Sequence, residues 1–115
     1  MKEMLTDKIR VQHILDAIAE VEQYLWEVSP EGFAENSEKR FATIKQIEII
    51  GEACNQITLT FKEAHPEILW KPIRGFRNIS IHEYFGIDFK LVWEIATVDL
   101  PVLKVQFFKA SEELK

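Results

Sequence analysis

Between Lys71 and Gly86 the chain reads KPIRGFRNISIHEYFG. Lys71, Arg74 and Arg77 come first, His82 and Tyr84 follow, and no acid intervenes before Glu83. These residue types suit phosphate chemistry. A guanidinium holds a phosphate through paired hydrogen bonds and can stabilise charge that builds during attack. An imidazole titrates near neutrality and can exchange a proton with a hydroxyl or a leaving oxygen. Such a concentration of cations around a histidine is a local reversal of charge, because the whole chain carries a net −5.

The stretch reads as a helix. Pro72 suits a first turn, where a missing N–H costs nothing. Gly86 suits an end, and Asp88 can cap the helix that follows. At about 100° per residue, Arg74, Arg77, Ile81 and Tyr84 fall on one stripe, while Asn78 and His82 form a neighbouring one. Arg77 and His82 then diverge by about 140° around a straight helix. They are poorly placed to pair tightly within it, but they can line opposite walls of a groove if a second copy lies across a twofold axis. Each residue also has a plainer reading. His82 can be a helix-end histidine, and Arg77 a surface cation paired with Glu83. Lys71 and Arg74 suit a solvated face as well as a phosphate contact. Asn78 can orient His82 from one turn away or cap a neighbour, and Tyr84 can lie half-buried with its hydroxyl outward.

Arg77-Asn78-Ile79-Ser80-Ile81-His82 resembles the Arg-(four residues)-His motif of the HEPN superfamily. With Glu83-Tyr84 after it, the stretch looks like the HepT-type branch, the toxin half of toxin–antitoxin pairs. Further stretches match in order and spacing: Ile50-Gly51-Glu52-Ala53, His65-Pro66-Glu67-Ile68, Trp70, Tyr84-Phe85-Gly86-Ile87-Asp88 and Asp99-Leu100-Pro101. The motif alone is weak, since an Arg and a His five apart arise by chance; the ordered set covers nearly the whole chain. The resemblance implies an all-α HEPN-like bundle and metal-independent RNA cleavage by Arg77 and His82 in a homodimer groove. It also implies a partner nucleotidyltransferase of the MNT type, the antitoxin, which silences the enzyme by attaching AMP to Tyr84.

Composition sets the outer bounds. The 115 residues of 13.5 kDa suggest one domain spanning 1–115, and 47% hydrophobic residues suffice for a core. A pI near 5.2 argues against a general nucleic-acid coat protein, whose affinity comes from neutralising phosphates, but leaves room for a local basic groove. Cys54 stands alone, which excludes an intrachain disulfide and a cysteine zinc cluster. His13 and His65 lack ligand spacing, so no metal and no cofactor is expected. Without a signal-peptide pattern or an apolar run of spanning length, a cytoplasmic protein with no membrane partner is expected.

Helical periods dominate the chain. A first helix is predicted from Thr6 or Asp7 to Val28, with Ile14, Ile18, Val21 and Leu25 inward. Ser29-Pro30-Glu31-Gly32 breaks it. A second starts after Asn36 or Ser37 and reaches about Phe61, striped by Phe41, Ile44, Ile47, Ile50 or Gly51, Cys54, Ile57 and Phe61. Gly51 inside a long helix costs roughly 1 kcal/mol against Ala, which suggests a close crossing there. His65-Pro66 ends that segment, the third helix carries the motif, and a fourth begins near Asp88 and is kinked or restarted at Pro101. The architecture predicted is an up-and-down bundle of four to five helices. Trp26, Trp70 and Trp93 are predicted in the core or an interface, and Phe107-Phe108 over a bundle end or against a partner. Two other functions fit these residues: a non-catalytic helical module that binds a partner protein, and a module that binds a nucleotide through Arg77 without cleavage.

Overall fold

A computed structural model describes residues 2–78 and 89–114. The regular elements among these residues are all helical, in the order α1 (Lys2–Tyr24), α2 (Pro30–Glu35), α3 (Ser37–Asn55), α4 (Leu59–Ala64) and α5 (Trp70–Arg74). A 3₁₀ turn over Gly75–Asn78 follows α5; then come α6 (Phe89–Glu94), a π-helical turn over Ile95–Asp99 and α7 (Leu100–Glu112). Val11, Ile14, Ile18 and Val21 recur on one face of α1 and are buried, and Ile44, Ile47, Ile50 and Cys54 do the same on α3. Those two faces pack along each other. Polar contacts at both ends show that the helices run antiparallel: Lys39 Nζ donates to the Tyr24 carbonyl at one end, and Asp7 takes the Thr58 backbone N–H at the other. α7 closes the core with Leu100, Leu103, Phe107 and Ala110. Its end reaches His65, while α6 begins beside Arg40, whose guanidinium stacks on Phe89 at 4.4 Å. The α6–α7 leg therefore runs in the direction of α3, and the architecture is the predicted up-and-down all-α bundle.

The breaks between elements differ from expectation in three places. α1 stops at Tyr24 rather than Val28, and the chain turns through Glu27 with φ 57. Ser29-Pro30 then starts a helix of its own: the Ser29 hydroxyl accepts from the Gly32 N–H at 3.0 Å, and Pro30 occupies the first turn. The predicted run to Phe61 is two helices. Ile57 and Phe61 continue the hydrophobic period and are buried, but Thr58 adopts an extended conformation and caps α4 by accepting from the Phe61 N–H. Helical periodicity cannot register such a break, because both helices point the same kind of face inward. The third concerns the end of the motif helix and is described with the site. At Pro101 the predicted kink has a definite form. Proline offers no N–H and crowds the preceding turn, and the ladder just before it widens: the Leu100 N–H bonds Ile95, five residues back, and α7 restarts with Pro101 in its first turn.

Trp26 is 76% exposed and so lies outside the core, whereas Trp93 packs on Phe33 at 5.3 Å between α2 and α6. Phe107 is buried and Phe108 is exposed. Gly51 is buried on α3, as a crossing would need.

Candidate functional site

Arg77 takes its position from the two core residues before it. Ile73 and Phe76 are three apart, 1% and 6% exposed, and anchor α5 and the 3₁₀ turn against α3. Arg77 follows Phe76 within the 3₁₀ turn over Gly75–Asn78. The connection leading into α5 is pinned as firmly. The Trp70 indole N–H donates to the His65 carbonyl at 3.0 Å, and its ring meets Phe107 edge-on at 5.6 Å. His65 lies against Phe61 at 4.4 Å, with Nδ1 3.3 Å from the Glu67 carboxylate and Nε2 3.1 Å from that of Glu113. Gln106 on α7 donates to the Glu67 carbonyl at 3.0 Å. The start of the motif thus hangs from α4 on one side and α7 on the other. Sequence reading placed His65 at the end of a helical segment and in a stretch carrying the resemblance, weighed its side chain as a metal ligand, and missed this tie. Its signal is a histidine with an acid two residues on, but Glu113 lies too far along the chain to be paired with it by spacing.

The expectation of one straight helix through the motif needs correction. The α-helix ends at Arg74, and Gly75–Asn78 is a 3₁₀ turn. Such a turn has about three residues per turn instead of 3.6, so residues three apart eclipse. The stripe drawn from Arg74 through Arg77 at 100° per residue does not hold past Gly75. Pro72 does fall in the first turn of α5, as predicted, and the next described helix opens at Phe89, just after Asp88. Lys71 is exposed on α5. Arg74, Arg77 and Asn78 are placed through their backbone. His82, Tyr84, Glu83 and Gly86 lie outside the described residues, and with them the relation of Arg77 to His82.

Two of the other stretches singled out by resemblance fall on elements around this segment. In Gly51-Glu52-Ala53 the glycine and alanine are buried while Glu52 faces outward. In Asp99-Leu100-Pro101, Leu100 enters the core and Asp99 ends the π turn. Burial first, and the nearby Glu94 carboxylate second, raise the Asp99 carboxyl above its ordinary value. Among the described residues no group of three His, Cys, Asp or Glu side chains is arranged to hold a metal. Among them, too, no helix is long and apolar enough to cross a membrane.

Comparison with known proteins agrees with this architecture. The model of the ribonuclease HepT-like family matches residues 14–109. A Thermococcus cleftensis protein named "probable ribonuclease HepT" is 38% identical over 99 residues, covering 86% of this chain and 90% of its own length. A Methanocaldococcus jannaschii protein named "putative RNase" is 41% identical over 91 residues, covering 79% of this chain and 84% of its own. A second protein of that organism, named "gamma-glutamylcyclotransferase and putative RNase", is 38% identical over 107 residues, 93% of this chain; the chain spans 48% of its length. No solved structure matches significantly. The chain belongs to the HepT-like ribonuclease family, the branch of the HEPN superfamily that its motif resembles.

Proposed function

We propose that this chain is an endoribonuclease of a toxin–antitoxin pair, cutting RNA without a metal at Arg77 and His82. The observation that supports this reading best is the family match over residues 14–109, which contains the Arg77–His82 motif in the order and spacing described above. In this scheme the RNA supplies its own nucleophile. The ribose 2′-oxygen attacks the adjacent phosphorus and loses its proton, the bond from phosphorus to the 5′-oxygen breaks, and that oxygen leaves as a hydroxyl. The products are a 2′,3′-cyclic phosphate and a 5′-hydroxyl end. His82 exchanges one of the two protons, and the Arg77 guanidinium holds the phosphate oxygens as charge accumulates on them. Lys71 and Arg74 draw the RNA backbone toward the site, and Asn78 orients the imidazole. A second copy across a twofold axis completes the groove, and a nucleotidyltransferase antitoxin controls it through Tyr84.

His82→Ala should lower the cleavage rate by roughly 10² or more, the usual contribution of a positioned acid or base, with the helical circular-dichroism signal unchanged. Wild-type cleavage should persist in EDTA and leave cyclic phosphate ends. Full activity in His82→Ala, or abolition by the chelator, would overturn the mechanism. A non-catalytic partner-binding module would show no cleavage for the variant to lose.

A further inference from the structure

The turn after α1 carries three features that the packing of the bundle does not use. Trp26 is 76% exposed, although its indole has a large apolar surface to bury. Glu27 has φ 57, in the left-handed region where a side chain is strained and glycine is the usual residue at a helix end. Trp26 and Glu27 also border an open groove of about 520 Å³, whose apolar lining is Val21, Leu25 and Ala96, with Glu22 beside them.

The surrounding sequence is acidic. From Val11 to Glu38 the chain holds no lysine or arginine, while Glu20, Glu22, Glu27, Glu31 and Glu35 fall within that span. Lys104 reaches in from α7 and is already held by Glu22 at 3.0 Å. Glu27 is exposed and has no ion-pair partner among the described residues. Such a groove repels the phosphates of RNA and the surface of an anionic membrane, and a purely apolar segment leaves Glu27 uncompensated. A cation on an aliphatic stem satisfies each wall: the stem covers the apolar lining, the charge lies on the indole face, and Glu27 pairs with it. Arginine suits this best, because its flat guanidinium stacks on a ring and takes a carboxylate through two hydrogen bonds. We propose that the Trp26 groove is a docking site for a basic, apolar segment of a partner protein, with an arginine seated between Trp26 and Glu27. This role also accounts for a glutamate where glycine is less strained. It does not depend on the ribonuclease reading.

Calorimetric titration of the purified chain with the peptide LRLLRL, blocked at both ends, tests it. Binding should saturate, weaken as salt rises and shift the fluorescence of Trp26, whereas LELLEL and LQLLQL should not bind at the same concentrations. Trp26→Ala should weaken the peptide roughly tenfold, the upper scale of a cation–π contact. Glu27→Gly separates docking from folding: it relieves the strained backbone, so the melting temperature should rise while the affinity falls. A purely structural role does not split the two in this way. Both side chains are exposed, and an unchanged helical signal checks each variant; Glu27→Gln keeps the test decisive if Trp26→Ala fails to fold. Equal binding of LQLLQL, or full affinity in Trp26→Ala and Glu27→Gln, would overturn the proposal. So would failure of LRLLRL to bind at millimolar concentration, or tighter binding of spermidine than of the peptide, which would assign the groove to a free polyamine. A molar mass of the chain alone that falls in Trp26→Ala would assign the face to a second copy and overturn it as well.

Discussion

Asp99 is an acid placed where its surroundings disfavour charge. Burial and the Glu94 carboxylate raise its carboxyl above the ordinary 3.8, so the folded chain holds this proton to higher pH than the unfolded chain does. The sign follows from linkage. Where the folded state binds more protons than the unfolded one, stability falls as pH rises. The stability associated with Asp99 is therefore fully present below 3.8 and is lost as pH climbs through the raised folded value. Asn cannot ionise and escapes this loss. Asp99→Asn should be more stable than the wild type at neutral pH, with the difference shrinking as pH falls below 3.8. Urea unfolding at a series of pH values measures it. A difference that stayed constant with pH, or that favoured Asp at neutral pH, would show that the field at this position has been misjudged.

At the scale of elements, helix ends are tied across long stretches of sequence. Asp7 is 4% exposed and accepts from both the Thr58 backbone N–H, at 2.9 Å, and the Thr58 hydroxyl, at 2.7 Å. Thr58 in turn caps α4 through the Phe61 N–H. One carboxylate near the start of α1 thus fixes the break between α3 and α4. Asp7→Ala leaves the Thr58 N–H without its acceptor and should cost about 1–3 kcal/mol in urea unfolding. Asp7→Asn keeps one acceptor and should recover part of that. An Ala variant as stable as the wild type would mean that Thr58 finds another partner. This tie also marks the limit of what the sequence discloses. The inward stripes of α1 and α3 were legible because a 3.6-residue period repeats over several turns. The division at Thr58 was not, because it depends on a carboxylate 51 positions away. The motif segment divides the same way. Its first turn at Pro72 and the helix after Asp88 could be read from local chemistry. The tightening at Gly75–Asn78 could not, since it arises where Ile73 and Phe76 are drawn into the core. Of the two settings expected for Trp26, core or interface, the core is excluded, because α1 stops two residues before it and leaves it exposed.

For the whole molecule, an acidic chain that acts on RNA concentrates its attraction in one place, and that place is where control is most effective. The net charge is −5, yet Lys71, Arg74 and Arg77 lie within seven positions of each other. In the proposed site, RNA binding depends on a few phosphate contacts at these cations, and losing one or two removes most of the affinity. Tyr84 follows within the same stretch. Joining AMP to its hydroxyl adds a phosphodiester whose negative charge can occupy those guanidinium groups and repel an incoming RNA backbone. In the proposed toxin–antitoxin pair, modification at Tyr84 should therefore silence cleavage by competing for phosphate contacts without unfolding the bundle. Co-expression with the partner nucleotidyltransferase, followed by peptide mass spectrometry and a cleavage assay, makes this testable. The AMP mass should appear on the peptide containing Tyr84, the modified protein should lose cleavage, and its helical signal and melting temperature should hold. Tyr84→Phe should fold, escape modification and keep cutting RNA in the presence of the partner. AMP found on a peptide without Tyr84, or a modified protein that cuts at the unmodified rate, would show that control is exerted elsewhere.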